Sequence, residues 1–180
     1  MAKERTVTRS FRMTESAFLA LQQEANRRSI SLNTLHNLLM LSFAEHDRFL
    51  NEFRMVKLST VTFRKILMAS TDEAIVEAGR SAGRNVPKSF ILAKDRRLSE
   101  GSCVEYMRLM GQYGGLFQFN IARDETGTTI TLVHELGDKG SLFLSEYARS
   151  VFELVGVKAK VTLSESSVTL DLLRPSRPSG

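Results

Sequence analysis

The sequence predicts an α+β protein, and three features of its pattern carry that prediction. A short stretch of alternating residues near the N-terminus precedes two amphipathic helical patterns. A longer segment with helical periodicity and several helix caps follows. Near the C-terminus, two pairs of alternating stretches flank one further helical pattern. Two such hairpins around one helix predict a four-stranded antiparallel sheet with helices packed on one side.

These patterns divide the chain into three segments. Residues 1–53 are expected to form a first domain with one strand and two helices. Residues 54–173 are expected to form a larger α+β domain, which begins with a helical segment and ends with the sheet. Residues 174–180 contain two of the three prolines and are expected to be a disordered tail.

The overall composition narrows the class of protein. A hydrophobic fraction of 42% over 180 residues excludes full disorder. No run approaches the roughly 20 apolar residues of a membrane span, and the charged N-terminus lacks a signal-peptide core. The single cysteine, Cys103, agrees with a reducing compartment. We therefore expect a cytoplasmic protein without a membrane partner.

The charge of the chain favours a polyanionic partner. The net charge is +5 and the sequence pI is near 9.6. Six basic and three acidic residues lie between Met1 and Leu35. The basic excess falls on the predicted first strand and at the turn between the first two helices.

The first predicted strand runs from Thr6 to Met13. One face carries Val7, Phe11 and Met13, and the other carries Thr6, Thr8, Ser10 and Arg12. Arg9 interrupts the apolar face, from which its long side chain can extend to solvent. This strand has no neighbour in the chain, so its backbone groups would remain an open edge. It therefore requires a second copy, which predicts a homodimer.

Two helices are expected after this strand. Thr14 supplies an N-cap, and Glu15 places a negative charge at the start of a helix that should fray at Arg28 and Ser29. Ser31 is the cap of a second helix, whose apolar positions reach Phe49 and Phe53. The apolar face of this second helix is wider than one stripe, as expected if it packs on another subunit.

These residues resemble the ribbon-helix-helix DNA-binding proteins, the superfamily of the Arc and methionine repressors. The likeness lies in Arg12-Met13-Thr14-Glu15, Leu21, Ala25 and Arg28-Ser29-Ile30-Ser31-Leu32, and it covers about residues 6–50. In that family, two strands pair across a dimer axis and the ribbon lies in the DNA major groove. The chain departs from the family pattern at the turn between the helices, where Arg28 and Ser29 stand without the usual glycine.

The resemblance implies two sets of DNA contacts. The outward side chains of the strand, which read base edges in the family, correspond to Thr8, Ser10 and Arg12. The N-terminus of the second helix, which binds a backbone phosphate, corresponds to Ser31, Leu32 and Asn33. Apart from the resemblance, the pair Arg27 and Arg28 is a further candidate phosphate contact, with Arg28 as the chosen residue, although the pair could equally belong to a solvated helix end. Two small hydroxyl groups and one arginine predict weak sequence selectivity or reliance on tandem dimers.

The second domain is predicted from caps, glycines and alternation. Helices are expected after Ser59 and Thr71, with a turn at residues 83–86 and a new helix from Pro87. A further helix should begin at Ser99 or Ser102 and end at Gly111 or at residues 114–115. Strands are expected at residues 116–121, 129–133, 157–163 and 168–173. Between the hairpins, residues 137–140 are expected to be a loop, with Ser141 capping a helix that ends at Gly156.

No arrangement of residues predicts catalysis, and we expect neither an enzyme nor a cofactor. His36, His46, His134 and Cys103 share no metal-ligand spacing, so we expect no metal site. Most of the aromatic side chains of the second domain are expected in its core, with a pocket for an apolar effector as the alternative. They are Tyr106, Tyr113, Phe117, Phe119, Phe143, Tyr147 and Phe152.

Together these features predict a homodimeric, nucleoid-associated transcriptional regulator that binds double-stranded DNA. The second domain would oligomerise the protein, to a dimer or a tetramer, or sense a small-molecule effector, or bind a protein partner. One alternative is an antitoxin-like DNA-binding protein whose second domain grips a protein. Another is a ligand-binding domain that uses the N-terminal segment only to dimerise.

Overall fold

A computed structural model describes residues 7–51, 53, 55–124 and 127–173 of the chain. The predicted α+β class is confirmed, with helices along most of the described chain and one four-stranded antiparallel sheet. The fold has two compact units, Met1–Ala44 and Glu45–Gly180. The division falls inside a helical stretch, whereas the sequence pattern placed it after residue 53. The predicted tail at residues 174–180 lies outside the described residues.

The N-terminal unit contains two helices. Helix α1 is Glu15–Arg27, and the Thr14 hydroxyl accepts a hydrogen bond from the amide of Ala17 at 3.3 Å. Helix α2 is Leu32–Ser42, and Ser31 caps it by accepting from the amide of Thr34 at 3.0 Å. Both predicted N-caps are therefore confirmed. Residues 7–14 of the single chain have no regular secondary structure, and Thr6 lies outside the described residues.

In the turn between α1 and α2, a serine occupies the position that usually holds a glycine. Ser29 has a φ of 54°, in the left-handed region that costs a non-glycine residue roughly 1–2 kcal/mol. The amide of Ser29 donates to Asn26 at 3.0 Å, and that of Ile30 donates to Ala25 at 3.0 Å. This pair of bonds is the Schellman arrangement, which usually has glycine at the left-handed position. Ser29 therefore adopts the glycine conformation without being glycine.

The helical stretch continues into the C-terminal unit. Residues Phe43–Asp47 form a π-helical segment, and α3 is the single turn Arg48–Leu50. The Tyr113 hydroxyl donates to Glu45 at 2.9 Å, and His46 is buried with its ring 5.5 Å from that of Tyr113. Phe49 packs edge-on against Phe90 at 5.3 Å between centroids. These contacts attach residues 45–50 to the core of the C-terminal unit.

Three longer helices precede the sheet in this unit. They are α4, Thr60–Ala69; α5, Asp72–Asp95; and α6, Glu100–Leu109, which continues as a second π-helical segment, Met110–Gly114. Ser59 and Thr71 cap the first two as predicted, and Ser99 caps the third, for which Ser99 and Ser102 were both candidates. The hydroxyls accept hydrogen bonds from the amides of Thr62, Ala74 and Ser102. The helical stretch that begins with α6 ends at Gly115, whose φ is 76°.

The predicted break at residues 83–86 is wrong, because α5 is continuous through Pro87. Gly79 and Gly83 face α7, where an added β-carbon would lie 2.6 Å from the Phe143 carbonyl oxygen and 2.3 Å from that of Tyr147. Gly83 is therefore a packing glycine, not a turn glycine. Pro87 leaves the carbonyl of Gly83 without its helical donor, an effect that costs about 3 kcal/mol in an unsupported helix. Pro87 is buried, and burial of its ring contributes hydrophobic stabilisation that opposes this cost.

The sheet agrees with the predicted pair of hairpins. Its strands are β1, Gln118–Arg123; β2, Thr128–Val133; β3, Ala159–Leu163; and β4, Ser167–Leu172. Their order is β1-β2-β4-β3, and every neighbouring pair is antiparallel. Ile130 pairs with Leu170, and both are completely buried, as expected from the alternation of the two strands. Helix α7, Gly137–Glu153, packs on the buried face.

The predicted loop at residues 137–140, with Ser141 as a cap, is wrong. Helix α7 begins at Gly137, whose φ is 74°, and no side chain caps it. Ser141 instead lies within the helix, where its hydroxyl contacts His134 Nε2 at 2.9 Å and donates to the carbonyl of Ser164. The amide of Leu136 donates to His134 Nδ1 at 3.2 Å. His134 and Ser141 together thus connect the start of α7 to the turn between β3 and β4.

The aromatic residues occupy the positions expected of a core. Tyr106, Phe117, Phe143 and Phe152 are buried, while Tyr113, Phe119 and Tyr147 pack against the same cluster. The hydroxyls of Tyr106 and Tyr147 are 2.8 Å apart.

Burial raises the pKa of Cys103 to about 11, which keeps its thiol protonated. Within the described ranges, no helix has both the length and the apolar character that a membrane span needs.

The stability of the C-terminal unit should fall as the pH drops below about 6.5, the usual pKa of histidine. Burial lowers the pKa of His134 in the folded protein, so the unfolded chain takes up the proton first. The contribution of His134 to the free energy of unfolding is fully present above the pKa of the unfolded chain. Below that pKa it decreases by at most about 1.4 kcal/mol per pH unit. Urea unfolding of wild type and His134→Gln between pH 5 and 8 measures this difference. Parallel pH profiles for the two proteins would contradict the assignment.

Candidate nucleic-acid interface

The residues predicted to read bases lie on an exposed segment at the start of the N-terminal unit. Thr8, Ser10 and Arg12 are all exposed in the single chain. The alternating apolar residues Val7 and Phe11 are also exposed, at 67% and 69%. The Phe11 ring lies 6.0 Å from the ring of His36 on α2, which ties the middle of the segment to that helix. The single chain therefore presents both faces of the segment to solvent.

The predicted phosphate-binding end of α2 has the geometry of a capped N-terminus. Ser31 has an extended backbone, with φ −70° and ψ 152°, and its hydroxyl binds the amide of Thr34. The amide of Leu35 donates to the carbonyl of Ser31 at 3.0 Å, which is the first bond of the helix. The amides of Leu32 and Asn33 precede that bond, so no carbonyl of the helix accepts from them. These two donors, at the positive end of the helix dipole, suit an anion.

Arg28 lies where the prediction placed it, at the end of α1, but it is held by a carboxylate. Glu24 accepts from Nε and Nη2 of Arg27, both at 2.7 Å, and from Nε of Arg28. Hydrogen bonds from Arg27 and then Arg28 lower the pKa of Glu24 to about 2, so the carboxylate stays ionised. The side chains of both arginines remain exposed, at 70% and 47%.

Sequence reasoning missed the role of Glu24, although its spacing carried the signal. Glutamate three and four positions before an arginine is a standard arrangement for an ion pair on one helix face. Glu24, Arg27 and Arg28 have these spacings. The structure therefore brings together Arg27, Arg28 and Glu24 at the end of α1, immediately before the turn that leads into Ser31.

The C-terminal unit has an open cleft that sequence reasoning did not identify. Its volume is about 420 Å³, and it lies between α4, the start of α5, the start of α7 and the β3–β4 turn. It is lined by Arg64, Met68, Asp72, Leu136, Gly137, Asp138, Lys139, Leu142 and Glu165. None of the seven aromatic residues considered for an effector pocket lines this cleft. The cleft combines charges of both signs with apolar side chains.

The part of the chain that the structure describes contains no candidate metal site. There, no three histidine, cysteine, aspartate or glutamate residues form a group that could hold a metal ion. His46 is buried beside Asp47, with Nδ1 and Oδ1 2.8 Å apart, and His134 is engaged with Leu136 and Ser141. Both imidazole rings are buried. Both nitrogens of His134 have partners, whereas His46 Nε2 has none among the described residues.

Comparison of the chain with protein-family models and with curated protein sequences finds no match.

Proposed function

We propose that the chain is a homodimeric DNA-binding regulator of the ribbon-helix-helix type. Two copies would pair residues 7–13 as an antiparallel ribbon, and the ribbon would enter the DNA major groove. The observation that carries this proposal is the exposure of apolar side chains in the N-terminal unit. That exposure is what a unit built for pairing with its own copy would show before it pairs.

The N-terminal unit has almost no core of its own. Among its described residues, 7–44, only Ala25 and Leu35 are buried. Ten large apolar side chains there are exposed by 38% to 69%: Val7, Phe11, Met13, Phe18, Leu19, Leu38, Leu39, Met40, Leu41 and Phe43. An apolar surface of this extent normally marks an interface. Covering it on association supplies the hydrophobic stabilisation that the single unit lacks.

The partner that best fits the pattern of residues 7–13, and that would bury the exposed apolar side chains, is a second copy of the chain. A strand with apolar residues at alternate positions buries one face and needs a partner for its backbone. Pairing with its own copy across a two-fold axis meets both needs with one surface. In that arrangement Val7, Phe11 and Met13 face the helices of the dimer. Thr8, Ser10 and Arg12 then share the opposite face.

Duplex DNA is the ligand that the charges and the helix end support. Arg12 can form a fork with guanine O6 and N7, while the hydroxyls of Thr8 and Ser10 discriminate poorly. The free amides of Leu32 and Asn33 would bind a backbone phosphate and fix the ribbon in the groove. Weak sequence selectivity, or binding as tandem dimers, follows from one arginine per strand.

The C-terminal unit would sense a ligand or bind a further subunit or protein. The cleft at the start of α7 is the feature that supports ligand sensing, because it offers charged and apolar groups in one concave surface. Sensing there would make the protein a regulator whose DNA binding responds to a small molecule.

Dimer formation should depend on one face of residues 7–13. A Phe11→Asp variant buries a charge in the proposed interface and is expected to sediment as a monomer at micromolar concentration. Thr8→Asp adds the same charge to the other face and should leave the dimer intact while weakening DNA binding. Analytical ultracentrifugation measures the oligomeric state of both variants, and gel shifts measure their DNA binding. Dimers of equal stability for the two variants would show that these faces are assigned incorrectly.

Base reading should depend on Arg12. Sequences selected from random duplex DNA provide the test ligand, and gel shifts measure affinity. Arg12→Ala is expected to lose roughly five- to 150-fold in affinity for the selected sequence, because a guanine fork is worth about 1–3 kcal/mol. Arg9→Ala removes the same charge from the opposite face. Its affinity for DNA should fall less, and by the same factor for the selected sequence and for mixed sequences. Identical losses for both variants would exclude a base contact by Arg12.

Phosphate binding should depend on the amide of Leu32. Leu32→Pro removes that amide, and the helix tolerates proline at its first position because Ser31 already has the extended backbone that precedes proline. Leu32→Ala removes the side chain and keeps the amide. We expect the proline variant to bind duplex DNA about tenfold more weakly than the alanine variant, since a hydrogen bond to a charged group is lost. Equal binding by fluorescence anisotropy would rule out this contact.

A further inference from the structure

Glu24 occupies the donor groups of two arginines beside the proposed phosphate site. Its two carboxylate oxygens face Nε and Nη2 of Arg27, and one of them also accepts from Nε of Arg28. Among the described residues, Nη1 and Nη2 of Arg28 meet no acceptor. One end of the Arg28 guanidinium is therefore held, and the other end is available to an anion.

A DNA phosphate would compete with Glu24 for the same groups. Carboxylate and phosphate both bind the guanidinium fork through two parallel hydrogen bonds. The side chains of Arg27 and Arg28 are exposed by 70% and 47%, and that of Glu24 by 32%. Ion pairs this accessible to solvent are weak and break readily. The Glu24 carboxylate also carries a negative charge that repels a nearby phosphate. The arginines can therefore leave Glu24 and bind a DNA phosphate, but the ion pair with Glu24 and the repulsion between its carboxylate and the phosphate both oppose this step.

We propose that Glu24 is an internal competitor of DNA phosphate for Arg27 and Arg28, and that it restrains binding to non-specific duplex. This inference rests on the proposed function. Non-specific binding is almost entirely electrostatic, so a competitor for phosphate contacts reduces it most. Binding to a preferred sequence also draws on the contacts of Arg12 and the helix end, and it loses a smaller fraction of its free energy. Glu24 therefore acts as a specificity-determining residue that touches no base.

The test compares Glu24→Gln with Glu15→Gln in the full-length protein, using a mixed-sequence duplex. Both substitutions remove one negative charge from α1, but Glu15 lies in its first turn, away from the arginines. We expect Glu24→Gln to bind about three- to tenfold more tightly than Glu15→Gln. The slope of log affinity against log salt should also steepen by about 0.9 for each additional DNA phosphate that the released arginines neutralise. Glu24→Ala serves as a second variant, and circular dichroism and sedimentation verify folding and oligomeric state.

A double-mutant cycle separates release of the arginines from the loss of one charge. In an Arg27→Gln, Arg28→Gln background, Glu24→Gln should no longer increase affinity. A higher affinity that persists in that background, or equal affinities and salt slopes for the Glu24 and Glu15 variants, would overturn the inference while leaving DNA binding established. If neither wild type nor Glu24→Gln binds any duplex, the proposed function fails and the inference fails with it.

Discussion

Two glycines on one face of α5 allow α7 to approach so closely that a β-carbon at either position would overlap a carbonyl oxygen of that helix. Gly79 and Gly83 therefore set the distance between the two longest helices of the C-terminal unit. Helix α7 contributes Leu144, Val151 and Phe152, all completely buried, to the cluster that also covers the sheet. The sheet, α6 and the segment at Glu45–Leu50 gather around this pair of helices. A larger spacing would open the core on every side, because interiors are close-packed.

Local signals in the sequence were sufficient for most of the elements. Five helix N-caps lie where the sequence predicts them, with Ser99 as one of two candidates for its helix, since capping depends on residues only three positions apart. They are Thr14, Ser31, Ser59, Thr71 and Ser99. The alternation of residues predicted all four strands of the sheet, because a half-buried strand must repeat with a period of two. In the candidate site, the capped N-terminus of α2 could also be predicted, because Ser31 lies only three positions before the amide that it caps.

Contacts between distant parts of the chain explain what local signals missed. Gly83 resembled a turn because the helix that packs on it lies far along the chain. Ser141 resembled a cap because its true partners, His134 and the Ser164 carbonyl, belong to other elements. The cleft has the same origin, since its lining comes from two helices, a helix start and a strand turn. The strand predicted at residues 6–13 is a different case: the described residues 7–14 have no regular secondary structure in the single chain. The pairing that we propose for this segment needs a second chain.

The position of the unit boundary has a practical consequence for dissecting the protein. His46, Phe49 and Leu50 lie on a helical stretch that begins in the N-terminal unit, yet they pack into the core of the other. A C-terminal fragment that starts at residue 54 would lack these side chains, including the rings of His46 and Phe49 that pack against Phe90. A fragment that starts at Glu45 retains them together with the acceptor of the Tyr113 hydroxyl. A genetic separation of the two units should therefore begin the C-terminal fragment at Glu45, inside the π-helical segment Phe43–Asp47.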